Sequence, residues 1–456
     1  MESPGITLLD LPAELIHSIL VHAILVRGLK RGLRLRLVNK FCSREVIQAL
    51  YTSRILESLC HVGHEYPPLG LEYLQFKTLG ERGNVTAPRK VIRQIADRLC
   101  VENDIPTSRA HEERGAYIKQ LCRLAFERNN CLSSFFQEYK QIDDDDQALK
   151  RHLFVAAVYT NSVSLVRRLI NQNHDPWASS SLFGFSLAAA ALKGHEEIIQ
   201  ILLATCSPHS IRRYVALSCS SEAGHLGSVE LVLQPQWGPW ELEKKNSRDR
   251  AALSKALNTP NIEVFNRIMA ARGGTPLQGP LPEAHLGDLI NTSASSGWVE
   301  TTQRLLAMGA PADGFEISQA HRPIMEACRH GFSEIVKLLL DHGADTYGAL
   351  SKAASGGHLG IIQMLLDHGC DVNEGSPPAI VHAVDLEHVN MFYFLREKGA
   401  ILNTPETGVE AAGRAKAADL QSMLKILATE GVDVDKGSTS KLPPPRQCSC
   451  PQSRWR

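Results

Sequence analysis

The sequence predicts an all-α protein: a solenoid of stacked helix–turn–helix repeats with short hairpin fingers, preceded by a small helical head. Three observations carry this. A pattern recurs with a period near 33 residues, reading RPIMEACRHGFSEIVKLLLDHGAD over Arg322–Asp345 and GALSKAASGGHLGIIQMLLDHGCD over Gly348–Asp371. Within each copy the apolar residues fall three and four apart, the spacing that places side chains on one face of a helix. A glycine closes many copies, where a left-handed residue can end a helix and turn the chain.

Each repeat can be justified from one anchor, expected just before its second helix: Asn161, Gly194, Gly224, Pro260, Gly297, Gly331, Gly357, Glu387 and Asp419. Four and five residues on stand apolar pairs such as Ile198-Ile199, Ile335-Val336, Ile361-Ile362 and Met391-Phe392. Leu202-Leu203, Leu305-Leu306, Leu339-Leu340 and Leu365-Leu366 continue the same face. Before the anchor a shorter helix has small inward residues (Ala156-Ala157, Ala190-Ala191, Ala327-Cys328, Ala353-Ala354), which let neighbouring copies approach closely. Gly309, Gly343, Gly369, Gly399 and Gly431 are the expected helix-ending glycines, and Val432 to Asp435 and Cys370 to Asn373 the expected fingers.

On these residues Lys150 to Asp435 resembles the ankyrin-repeat family, as about nine repeats of which those at Gly331 and Gly357 match best and those at the start and at Pro260 diverge. The resemblance implies protein recognition through first helices and fingers. Candidate client-binding residues are Arg329 and His330 on a first helix, Tyr347 in a finger, and Trp237 and Trp240 in a Pro/Gly-containing insertion. Tryptophans there serve equally well to cover the irregular junction. The client itself is unknown.

In the head, Leu9 to Leu20 reads as a helix start: Asp10 is a capping residue type, Pro12 suits a first turn, and Leu11, Leu15 and Ile19 recur at helical spacing. A second helix is expected to open at Leu35 and run through Tyr51. The pairing of LPAELIHSIL with LRLVNK resembles the F-box, and the combination with repeats resembles fungal F-box/ankyrin proteins. That resemblance implies docking on the Skp-type adaptor of cullin–RING ubiquitin ligases through Leu11, Pro12, Leu15, Ile19, Leu37 and Val38. Phe41 and Cys42 stand where the family often has tryptophan. An amphipathic helix pair that only caps the solenoid would show nearly the same spacing, so a scaffold or regulatory protein with a vestigial head stands as the alternative.

The expected domains are therefore the head over 1–58, a helical connector over 59–149 that covers the first repeat, the solenoid over 150–435 and a disordered basic tail over 436–456. Asp143 to Asp146 is read as helix N-terminal charge rather than a cation site. Breaks are expected at His64 to Gly70, around Pro67-Pro68, and at Thr86 to Pro88.

Composition narrows the function. Lysine plus arginine and aspartate plus glutamate number 49 each, so overall charge argues for neither nucleic acid nor membrane, and no segment is long and apolar enough to span a bilayer. Locally, Arg27, Lys30, Arg31, Arg34, Arg36, Lys40 and Arg44 form a basic stripe, read as a solvated face beside an acidic partner. Eleven scattered cysteines suit reduced thiols and a cytoplasmic place, with the nucleus also open. His195, His225 and His358 recur at repeat spacing and are read as structural residues, each serving its own turn, not as metal ligands. No phosphate-cradling loop, nucleophile elbow or zinc motif occurs, so no catalytic residues, no metal and no cofactor are expected.

Overall fold

The computed structural model describes residues 11–58, 66–80, 85–129, 132–136, 145–177, 179–205, 211–237, 259–272, 283–314 and 322–436. The chain forms two compact units that divide between Ser207 and Pro208. Among the described residues everything regular is helical, apart from an isolated bridge between Ser180 and Gly184.

In the first unit, α1 (Ala13–Arg27) buries Ile16, Leu20 and Ile24, which recur every four residues along one face. That face packs against α3 (Lys40–Thr52), whose Cys42, Val46, Ala49 and Leu50 are buried. Between them lie α2 (Leu29–Arg34) and a 3-10 turn at Leu35–Leu37. The single helix expected from Leu35 to Tyr51 is broken at Asn39, whose extended backbone (φ −163°) and side-chain oxygen, accepting the Cys42 N–H at 2.7 Å, start a new helix. An asparagine at this place competes with helix continuation by capping the next one.

After α4 (Ile55–Ser58), the break expected around Pro67-Pro68 is instead the first turn of α5 (Pro67–Gly80). Proline is tolerated there because the first-turn N–H groups have no helical partner to lose. Tyr51 of α3 lies 5.8 Å from the Tyr73 ring and 5.0 Å from that of Phe76, so head and connector share an aromatic core. Glu57 accepts the Tyr73 hydroxyl at 2.8 Å.

Helices α6 (Ala87–Glu102) and α7 (Thr107–Asn129) pack on each other, and α6 packs on α8 (Asp146–Tyr159), the first repeat helix. Asp145 caps α8 by accepting the Ala148 N–H at 2.7 Å, and Asp146 pairs with Lys150 at 2.8 Å, so the described part of the aspartate run is helix N-terminal charge. The expected helix from Ala116 to Tyr139 ends at Asn129; the end of that stretch lies outside the described residues. Helix α9 (Val163–Asn171) is tied to the connector by Arg168, which pairs with Glu102 at 2.7 Å. The second helix pair of this unit is α10 (Ser186–Lys193) and α11 (Glu196–Ala204).

The second unit runs as α12 (Ile211–Glu222), α13 (Leu226–Leu233), α14 (Ile262–Arg272), α15 (Glu283–Ser296), α16 (Val299–Ala307), α17 (Pro323–His330), α18 (Ser333–Asp341), α19 (Ala349–Gly356), α20 (Leu359–Asp367), α21 (Ala379–Asp385), α22 (Val389–Glu397), α23 (Pro405–Ala417) and α24 (Gln421–Thr429). The first helices α15, α17, α19, α21 and α23 pack each on the next, as do the second helices α14, α16, α18 and α20. This is the all-α repeat solenoid that the periodicity predicts.

The anchors have one physical job. Asn161, Gly194, Gly224, Gly297, Gly331, Gly357, Glu387 and Asp419 all adopt positive φ, the conformation that stops a first helix and reverses the chain. The second helices begin two residues beyond the anchor, not one, because the intervening residue (His195, Phe332, His358) stands outside the helix as its N-terminal flank. Gly331 is doubly constrained: its φ is 86°, and a Cβ there would meet the His358 ring at 2.6 Å. The predicted core follows, with Ile335, Val336 and Leu339 fully buried, although Leu366 is only half-buried.

Candidate interaction surfaces

Once α1 has buried Ile16, Leu20 and Ile24, its other side stays largely exposed among the described residues. Leu15 is 52% exposed, Ile19 43% and Val26 71%, at spacings of four and seven that place them on one helical face. Pro12 is exposed and Leu11 half-buried, while Val38, after the 3-10 turn, is 66% exposed. Of Leu37 only the backbone is described. Sequence reasoning passed over Leu25 and Val26 because an apolar run reads as core unless the packing partner of each turn is known. Arg36, Lys40 and Arg44 of the basic stripe are exposed.

Along the repeats, Arg329 and His330 end α17 and are exposed; His330 sits 3.6 Å from Glu326 and stacks on Phe332. Tyr347 is an exposed finger residue. Its N–H is held at 2.9 Å by the Asp345 carboxylate. The same turn recurs in other fingers: Asp175 accepts the Trp177 N–H, Asp371 that of Asn373 and Asp433 that of Asp435. Neighbouring fingers are laced together, with Asp313 accepting the Asp345 N–H and Asn373 that of Ile401. The Tyr347 N–H and, beside it, the Arg322 guanidinium hold the Asp345 carboxyl below the usual carboxylate range.

Trp237 is half-buried and folded back: its indole N–H donates to the Leu231 carbonyl at 3.0 Å, and its own carbonyl accepts from Arg213 at 2.9 Å. Trp240 lies outside the described residues.

Of the histidines at repeat spacing, His195 and His358 do not serve their own turn. His195 donates to the Tyr159 carbonyl at 3.0 Å and His358 to that of Arg329 at 3.1 Å, each reaching back to the preceding repeat. The register of stacking, invisible within one repeat, decides this. His388 does cap its own helix, accepting the Met391 N–H at 3.1 Å. Among the described residues no group of three His, Cys, Asp or Glu is placed to hold a metal ion. Burial pushes the Cys122 thiol up to about 12 and raises those of Cys328 and Cys370, which keeps these sulfurs protonated near neutrality.

One cluster was missed by sequence reasoning. Five residues before each anchor, where earlier repeats carry Ala156, Ala189 or Cys219, the later ones carry Glu326, Lys352, His382 and Arg414. Arg414 is clamped between Asp385 and Glu410, the latter at 2.8 Å. Burial, and then the nearby Arg414 charge, lower His382 from 6.5 to about 4, leaving its imidazole neutral. The signal was a change of residue type at one repeat position, legible only after aligning the copies on their anchors.

Stacked helix pairs with left-handed anchors and laced fingers define a class, the helical repeat proteins that bind through an extended surface. The particular repeat is the ankyrin repeat: that family's model matches residues 321–348 and 347–376, the two copies in which the pattern is clearest. A stretch of 102 residues is also 32% identical to "Ankyrin repeat and KH domain-containing protein mask" of Drosophila melanogaster, covering 22% of this chain and 2% of that protein. The chain thus carries ankyrin repeats, a protein–protein interaction module. No helix among the described residues is long and apolar enough to cross a membrane.

Proposed function

We propose that the protein is the substrate-recognition subunit of a cullin–RING ubiquitin ligase, in which the head docks on a Skp-type adaptor and the ankyrin repeats hold the client. The observation that carries this reading is the exposed aliphatic row of the head. Leu15, Ile19 and Val38 stand at positions that the F-box resemblance implies for adaptor docking, and each leaves a large fraction of its side chain in water. Full burial of such a side chain is worth about 1.5–3 kcal/mol, so a row of them favours a partner that covers it.

The test is Leu15→Asp combined with Leu11→Ala, assayed by co-purification of recombinant adaptor and cullin. Adaptor capture should be lost while the circular dichroism spectrum and thermal midpoint stay close to those of the parent, because Leu15 faces water. A parent protein that captures no adaptor sinks the proposal.

A second reading has its own support. The ring cluster of Tyr51, Tyr73 and Phe76 joins α3 to α5, as expected of a head that caps the helices behind it in a non-catalytic scaffold. On that reading removal of residues 1–58 destabilises the rest of the first unit, and the adaptor is never bound.

A further inference from the structure

We propose that Lys352 and His382 together anchor one carboxylate of the protein that the repeats bind, so that the client presents an acidic side chain to the first helices α19 and α21. The proposal rests on the reading of the repeats as a client-binding surface and adds the chemistry of the contact.

Both residues occupy the same position in consecutive repeats, on helices that pack side by side. Both are half-buried, and among the described residues neither side chain has a hydrogen-bond or ion-pair partner. The charged groups around them already have partners of their own. From α23, Arg414 is held by one oxygen of Glu410 on its own helix and by one oxygen of Asp385 of α21. In the preceding repeat, Glu326 of α17 lies 3.6 Å from His330. What remains is an ammonium group with three donors, within electrostatic reach of an imidazole, and neither side chain has an acceptor among the described residues. An aliphatic contact would leave these donors desolvated and unpaired, and a cation would face Lys352 directly; an anionic acceptor satisfies both groups.

Protonation sharpens the prediction. His382 is neutral in the free protein, its midpoint lowered to about 4 by burial first and Arg414 second, with Lys352 lowering it further and Asp385 and Glu410 opposing. A carboxylate brought alongside raises that midpoint, by about 1–3 units for a charge in contact. Binding therefore takes up a proton, and by reciprocity affinity rises as pH falls.

The experiment uses the full chain with ring-labelled histidine, and as probe a short synthetic peptide alternating Glu and Ala, with the matching Gln and Ala peptide as control. The Glu peptide should bind, about tenfold more tightly near pH 5 than near pH 7, and should move the His382 nuclear magnetic resonance midpoint upward. Lys352→Gln should abolish binding and Lys352→Arg should keep it. His382→Gln should remove the pH dependence and identify the resonance. Equal binding of the two peptides, undiminished binding to Lys352→Gln, no binding at all, or an equal His382 shift with inorganic phosphate alone would each overturn the anchor. Those failures stay distinct from failure of the ligase reading, which is tested at the head with the adaptor.

Discussion

In the repeats built on α17 to α20, Gly331 turns the chain with a φ of 86° and the His358 ring packs where its Cβ would be. At the Pro260 anchor no described residue takes positive φ. Proline cannot adopt positive φ, and Asn261 takes over: its side chain donates to the Gly224 carbonyl at 3.0 Å and caps α14 by accepting the Glu263 N–H at 2.9 Å. Burial differs in degree as well. Ile335, Val336 and Leu339 fill the regular repeats, whereas beside the buried Val264, Phe265 and Ile268 this stretch also buries Thr259, Thr301, Thr302 and Ser293, with Thr301 donating to the Thr259 carbonyl at 3.1 Å. Stacking thus tolerates loss of the sequence signature where polar groups restore the bond between repeats. On the neighbouring α12 and α13, the buried Ser220 and Ser228 hydroxyls have no hydrogen-bond partner among the described residues.

The largest effect that can break this contrast is Leu339→Asp, which places an unpaired carboxylate at a fully buried position and should cost about 4 kcal/mol or more in chemical denaturation. Lys337→Asp, on the exposed side of the same helix, should stay within about 0.5 kcal/mol. Equal midpoints for the two would mean that α18 is rotated from the phase described.

Next in size is an acid effect within the later repeats. His382 has its folded midpoint depressed to about 4 from 6.5, so the stability linked to its neutral form is present above pH 6.5 and is lost as pH falls toward 4. The loss should approach about 3 kcal/mol, and His382→Gln should flatten that part of a stability–pH profile. An unchanged slope in the variant would assign the acid sensitivity elsewhere.

Gly331→Ala should cost about 2 kcal/mol, from backbone strain at positive φ and the displaced His358 ring. Asn261→Ala should cost about 1 kcal/mol through the lost cap and inter-repeat bond. A larger loss at Asn261 than at Gly331 would reverse the view that the regular repeats depend more on their turn residue. Smallest, Ser228→Ala should leave stability unchanged or raise it by up to about 1 kcal/mol, since it removes a buried hydroxyl without a partner. A clear loss in thermal midpoint would show that the hydroxyl is in use.

Much of the solenoid was legible because its determinants are local. Left-handed turns need glycine, asparagine or aspartate more often than other residues, and Gly309, Gly343, Gly369, Gly399 and Gly431 all take positive φ where the pattern placed them. The head was legible in its helices but not in their faces. Leu11, Leu15 and Ile19 recur at the same spacing as Ile16, Leu20 and Ile24, and a rotation of one residue separates a docking edge from a core.

By itself the sequence determined that this chain is a stack of helix pairs with a helical head, and at which residues most of the turns fall, because hydrophobic period and turn chemistry act over a few residues. Only the tertiary structure decided that α1 buries Ile16 and exposes Leu15, that His195 and His358 bind the repeat before their own, and that Lys352, His382 and Arg414 form one cluster. Those outcomes depend on which helix lies alongside which, and a side chain's partner across a packed interface is set by the register of two elements distant in the chain.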